Sequence, residues 1–362
     1  MRFIQKVKDI LEEKTSASIF DFLNKIVNFS NRLHFKRIEN VMKMVEEKPL
    51  ILGIETISVC NAKCVFCAYP TMTRKKEVMP LDIFEKVVSE YSQMGGGALS
   101  LTPVMGDPLL DPHFIERYKI LEKYPEINQI SFTTNGVAFA KYSDQDLEYF
   151  IRQSFLIQVS IGGLDKDTYR NLYGIDKLEE VLSSVERLLN LKNKIQEGSK
   201  ILLAFRTNLP DFENLYQGRL QEFKKQGALL SHIYSYNNYG GEIKTTEIKL
   251  KRNRLISKSL TCAIPLMYAS VYSNGRITNC GCVDANGHGL TIGDTHEETV
   301  KGIWNGQRRE LVLNSFKQKK IAKLCQECNA YRPSTYLGTA TFKNVKANQK
   351  LPIEFYLNFF GG

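Results

Sequence analysis

Three cysteines, Cys60, Cys64 and Cys67, fall within the eight residues CNAKCVFC, spaced C-x3-C-x2-C, and no other cysteine appears before Cys262. Cysteines at such spacing suit metal binding, but a structural zinc knuckle or an ordinary iron–sulfur cluster takes four protein ligands. Three thiolates instead hold three irons of a [4Fe-4S] cluster and leave the fourth iron open to an exogenous ligand. A redox cluster with an open iron is a place for a small molecule to bind and react. The competing reading is a zinc or structural iron site completed by a distant residue.

The composition suits metal-bound thiols. The 362 residues are 43% hydrophobic and 24% charged, ordinary globular values, and the length fits one large barrel-like domain plus a smaller appendage. The N-terminal stretch MRFIQKVKDILEEKTSASIFDFLNK has neither the apolar run nor the cleavage site of a secretory signal. No stretch approaches the ~20 apolar residues that cross a bilayer. A cytoplasmic chain is therefore expected, in which thiols stay reduced and grouped cysteines bind metal rather than pair. The net charge of +10 is spread along the chain, with runs at RKK (74–76), KLKRNR (249–254) and KQKK (317–320). These read as solvated side chains on helix faces and loops, or more sharply as a field for an anionic substrate or an acidic surface. No basic stripe interleaved with aromatics appears, so nucleic acid is not an expected partner.

The elements that must position the triplet follow from periodicity. Residues 1–48 suggest amphipathic helices over FIQKVKDILEE, IFDFLNKIVNF and RIENVMKMVEE. They can pack on the main domain, which is the default, mediate oligomerisation, or make peripheral contact with a membrane. From residue 51, six short strands alternate with amphipathic helices. The strands are ILGIETIS, ALSLTP, QISFTT, LIQVSI, ILLAFRT and LLSHIYS; the helices include LDIFEKVVSEYSQM, HFIERYKILEKY, DQDLEYFIRQS, LEEVLSSVERLLNLKNK and NLYQGRLQEFKKQG. Successive βα units of this kind build a parallel sheet, either open and doubly wound or an incomplete (β/α) barrel. Their chemistry belongs in loops at the C-terminal ends of the strands, which is where the cysteine triplet lies.

CNAKCVFC resembles the signature of the radical S-adenosylmethionine (SAM) enzymes, whose cluster loop follows the first strand of a partial (β/α)6 barrel. The resemblance covers roughly residues 50–235. It implies that Cys60, Cys64 and Cys67 hold the cluster and that SAM chelates the open iron. Reductive cleavage then yields a 5′-deoxyadenosyl radical that abstracts hydrogen from substrate. Phe66, before the third cysteine, would lie against the adenine. VMGDPLLDP is similar to the family's G-G-E-P segment, which holds the methionine ammonium; here Gly106 and the shorter Asp107 stand in it, which favours backbone contact at Gly106 over side-chain contact at Asp107. TTNG (133–136) matches the end of the third strand in relatives. Ser160, in VSIGGLDKDTYRNLYG, corresponds to a serine reaching the SAM ribose or carboxylate, and Arg206, ending the fifth strand, to a carboxylate-binding arginine. A buried arginine on an apolar strand needs an anion or a hydrogen-bond partner, so the alternative for Arg206 is a structural salt bridge.

The other five cysteines, Cys262, Cys280, Cys282, Cys325 and Cys328, all lie beyond the last core strand. Ser273-Asn274-Gly275 signals a hairpin whose second strand would end at Cys280, and a helix is expected from Glu297. The C-x17-C, long gap, C-x2-C layout resembles the twitch domain, the short form of the SPASM domain. It implies one auxiliary [4Fe-4S] cluster on Cys262, Cys280, Cys325 and Cys328, with Cys282 to spare or in place of Cys280; a zinc site competes. The expected fold is thus α/β: a partial (β/α)6 TIM-like barrel (49–240) with a helical N-terminal extension (1–48), a small α+β twitch/SPASM-like domain (255–335) and a tail (336–362). A fully ligated cluster moves electrons, which suits two-electron oxidation of a small metabolite, carbohydrate-like by analogy with a relative that oxidises an aminocyclitol alcohol, or of another kind, and compatible with an anionic group. Flavodoxin or ferredoxin would supply the reducing electron. His232, Tyr236 and Arg152 are candidate bases for the lost proton, against packed or surface roles. Alternatives are peptide modification, epimerisation with Cys282 as hydrogen donor, and a non-enzymatic zinc protein.

Overall fold

The computed structural model describes residues 42–195, 197–209, 211–251, 258, 260–281, 283–334, 337 and 350–359. Of the two or three helices expected in residues 1–48, only 42–47 falls within this range, and it is helical.

Six strands form a parallel sheet in sequence order: β1 (Ile51–Ile54), β2 (Gly97–Ser100), β3 (Ile127–Thr134), β4 (Leu156–Ile161), β5 (Lys200–Arg206) and β6 (Leu229–Ile233). Every residue of β1 and β4 is buried, as expected of strands covered on both faces. The sheet does not close. The edge of β1 that a closed barrel would give to its last strand is taken by β7 (Tyr268–Val271), parallel to it from Ile51↔Tyr268 to Ile54↔Val271. The expected hairpin then adds β8 (Arg276–Thr278), and β9 (Thr291–Asp294), absent from the sequence reading, completes an antiparallel end to one nine-stranded sheet. The architecture is a mixed α/β partial barrel.

Some helices start or stop on chemical signals. Ser143 and Asp146 form a capping box for the helix Asp144–Gln153, and helix Leu178–Lys194 spans the expected residues. The helix Lys166–Tyr173 was not among those expected. Asp165 caps its N-terminus and Gly174, at φ 66°, ends it in the left-handed conformation that glycine adopts freely. The expected helix over 214–227 is instead two, Phe212–Leu215 and Gln217–Lys225, and the stretch after Glu297 forms Val300–Trp304 and Gln307–Lys317.

At the N-terminal ends of the strands, Leu351, Phe355 and Tyr356 pack in one buried group with Ile51, Ala98, Leu156 and Leu202. Gln129 on β3 clasps this segment, donating to the Leu351 carbonyl at 2.9 Å and accepting from the Leu351 amide. Residues 350–359 thus cover the end of the sheet opposite the one that carries the cysteine loop.

Candidate active site

After β1 the chain makes an excursion whose neck is closed by Ser58 N donating to Glu77 O and Met79 N to Thr56 O. The cysteine triplet lies in this excursion. Two backbone hydrogen bonds, Lys63 N to Tyr173 O and Val65 N to Leu172 O, hang it on the end of helix Lys166–Tyr173, both at 3.0 Å. All three thiols line a cavity of about 290 Å³ at the C-terminal ends of the strands. Burial pushes the Cys60 thiol up to about 12, with the nearby Asp107 charge adding to the effect, and raises Cys64 well above the usual thiol range, with Cys67 and Cys60 adding to it. Grouped thiols of which Cys60 and Cys64 resist ionising by themselves need a cationic partner to carry thiolate charge, and bound iron would provide it. The donor set therefore fits a cluster.

The segment after β2 forms one wall. Gly106 sits at φ +128°, and a Cβ there would lie 2.5 Å from the Ile57 carbonyl oxygen, so only glycine fits beside the cysteine loop. Asp107 is buried, and its carboxylate accepts from Leu109 N (3.1 Å), Thr134 Oγ1 (2.9 Å) and Asn135 N (2.7 Å). Burial still holds its carboxyl up at about 6. Gly106 and Asp107 both line the cavity, and Asp107 also ties the β2 loop to the end of β3.

The opposite wall comes from β4, β5 and β6. Arg206 Nε donates to Ser160 Oγ at 2.7 Å, Ser160 Oγ pairs with Tyr173 OH at 2.8 Å, and the guanidinium lies 5.5 Å over the Phe66 ring. Phe66 stacks on Tyr236 (centroids 5.0 Å apart, planes at 9°) and meets Tyr173 edge-on. Among the described residues no carboxylate pairs with Arg206, so its salt-bridge alternative finds no partner there. Replacing Arg206 with Met is expected to weaken SAM binding to the cluster-loaded protein about tenfold to hundredfold, the scale of a charge-assisted hydrogen bond. Isothermal titration with SAM measures it.

Of the candidate bases, Tyr236 lines the cavity, but burial pushes its phenol up to about 12 and its hydroxyl has no partner among the described residues. His232 lies off the cavity, its ring against Phe212 and near the Thr207 carbonyl. Arg152 is exposed on helix Asp144–Gln153.

A second group of thiols forms beyond β6. Cys262 precedes helix Ala263–Met267, Cys280 lies two residues past the end of β8, Cys325 is in helix Lys323–Glu327 and Cys328 caps it. The four are buried in one group with Val283, Leu290 and Phe316. Burial raises Cys262, Cys280 and Cys325, and for Cys280 the neighbouring Cys328, Cys325 and Cys262 add to the rise. Cys282 lies outside the described residues. Cys280 lines the same cavity as the triplet, with Gln158, Tyr268, Ser270, Lys251 and Arg332 also among the lining.

Sequence reasoning missed the seam between these two parts. Arg74, assigned to a surface basic run, is buried: it forms a bidentate pair with the fully buried Glu55 (2.8 and 2.9 Å), donates through Nε to Ala285 O, and covers the Tyr272 ring. Glu55 also accepts from Met105 N and from Ser273 N and Oγ. One carboxylate thus joins the end of β1, the β2 loop, the cysteine excursion and the β7–β8 turn. Glu55→Gln would set an NH2 group against these donors, and is expected to cost about 3 kcal/mol in urea unfolding.

The Radical SAM superfamily model matches residues 54–217, and the SPASM iron–sulfur cluster-binding domain model matches residues 262–329. The GTP 3′,8-cyclase of Clostridium perfringens (strain SM101 / Type A) is 27% identical over 327 residues, covering 86% of this chain and 97% of the relative. Two solved structures share the fold. SuiB of Streptococcus suis bound to its precursor peptide SuiA aligns with TM-score 0.55 and 14% identity over 84% of this chain and 75% of that one. Native anSMEcpe with bound AdoMet aligns with TM-score 0.51 and 18% identity over 86% and 95%.

Proposed function

We propose, for a chain that belongs to the radical SAM superfamily and carries a SPASM/twitch iron–sulfur domain, that it oxidises a small metabolite by two electrons. The two domains imply a [4Fe-4S] cluster, SAM and an auxiliary iron–sulfur cluster. When bound, these groups supply reductive cleavage of SAM to a 5′-deoxyadenosyl radical, hydrogen abstraction from substrate and an acceptor for the substrate's remaining electron.

The protein's own residues do the rest. Cys60, Cys64 and Cys67 hold the cluster with the open iron, and Cys262, Cys280, Cys325 and Cys328 hold the auxiliary one. Gly106 presents its backbone to the methionine end of SAM. Ser160 and Arg206 take its carboxylate or ribose, and Phe66 packs the adenine. The observation that supports this reading is a single cavity lined both by the triplet and by Cys280, so that a substrate seated there would lie between the residues that would hold the two clusters. Its volume lies at the small end of ligand sites. Lys251 and Arg332 on its lining suit an anionic group. An external donor of the flavodoxin or ferredoxin kind reduces the cluster, and the enzyme works in the cytoplasm.

A second reading, radical cyclisation of a nucleotide, is favoured by the near full-length similarity to a GTP 3′,8-cyclase. Anaerobic incubation with SAM, dithionite and candidate metabolites tests both, using GTP and deuterated polyhydroxylated cyclitols and sugar phosphates. Deuterium passing from a cyclitol or sugar into 5′-deoxyadenosine, with a ketone product, supports oxidation. A cyclised product from GTP alone replaces that reading with the second.

A further inference from the structure

We infer that Asn135 is a positioning residue for the cluster, its side-chain amide donating an N–H···S hydrogen bond to Cys60 and so raising the cluster's reduction potential. This rests on the reading that Cys60 ligates iron. The orientation of the amide is dictated by its partners. Asn135 Oδ1 accepts from Val137 N at 3.0 Å, closing a turn at the end of β3, which leaves Nδ2 to face the cysteine loop. Nδ2 donates to Asn61 Oδ1 at 2.7 Å and lies 3.8 Å from Cys60 Sγ. The Asn135 backbone is fixed in turn by the buried Asp107, which accepts its N–H at 2.7 Å and is itself held by Thr134 and Leu109. A continuous chain of contacts thus runs from the β2 loop through the end of β3 to one sulfur of the triplet.

An N–H aimed at a ligating sulfur draws charge from the thiolate and favours the reduced, more negative cluster.

The test is a redox titration of the anaerobically reconstituted full-length protein, following the electron paramagnetic resonance signal that changes on adding SAM. In Asn135→Ser the shorter hydroxyl can still close the turn to Val137 but cannot reach Cys60. The expected result is a lower midpoint, with the reduced-to-oxidised ratio at fixed potential falling about threefold to tenfold, tenfold being ~59 mV for a one-electron couple. An unchanged midpoint in a variant with full iron content overturns the inference. Should Asn135→Ser fail to load the cluster, wild-type protein labelled with nitrogen-15 at asparagine side-chain amides decides: hyperfine coupling of that nitrogen to the reduced cluster supports the contact, and its absence refutes it. A wild-type protein with no SAM-responsive signal would instead remove the cluster assignment on which the inference rests.

Discussion

Cys64→Ala is expected to reduce dithionite-driven formation of 5′-deoxyadenosine to the level of a protein-free control, while the fold measured by circular dichroism stays intact. The reason is a count of ligands. On the proposed assignment three thiolates leave one iron without protein sulfur, and a variant with two would leave a second iron bare, so that the cluster would no longer be held. Cys64 is the sharpest choice because it is grouped with Cys60, Cys67 and the Arg206 charge around one cavity. The backbone that carries it is supported independently, by the Lys63 and Val65 hydrogen bonds to helix Lys166–Tyr173. Loss of the thiol therefore removes chemistry rather than structure. Iron analysis should show about four fewer atoms per chain. A Cys64→Ala protein that cleaves SAM at the wild-type rate would refute the assignment of the triplet.

Cys325→Ala should give the complementary result: about four fewer irons, product formation lost, and SAM cleavage still running without substrate turnover. Its thiol belongs to the second buried group with Cys262, Cys280 and Cys328, and on the proposed assignment these four would fill every ligand position and leave no open iron for SAM. Because metal-binding energy in such a site is also folding energy, the variant should unfold at lower temperature than wild type. The Glu55–Arg74 pair keeps the β7–β8 turn joined to the cysteine excursion by contacts that Cys325 does not make, so the first site should survive the loss of the second. Full product formation by a variant that has lost four irons would show that the second cluster is not the electron acceptor.

Local sequence determined much of this protein. The six parallel strands, the helices Leu81–Gln93, Asp144–Gln153 and Leu178–Lys194, and the hairpin at Ser273-Asn274-Gly275 all follow from periodicity, caps and turn residues, which act over a few residues and can be read in order along the chain. The spacing of Cys60, Cys64 and Cys67 behind β1 pointed to an open-iron cluster for the same reason. Helix Lys166–Tyr173 is equally local, its ends marked by the Asp165 cap and by Gly174.

Tertiary structure alone decided the rest. Nothing in the sequence near Tyr268 says that β7 will lie beside β1 rather than form a separate small sheet, because strand pairing across more than two hundred residues depends on which edges remain free once the βα units have packed. Arg74 reads as one of three consecutive basic residues, and only the assembled fold supplies the buried carboxylate that takes it out of solvent. The convergence of Cys280 and the triplet on one cavity, and of Asn135 on the Cys60 sulfur, is likewise a product of which strand ends meet. Residue type and spacing thus established what chemistry the chain can do, whereas the distances over which atoms and electrons would have to move are properties of long-range packing, which leaves no local trace.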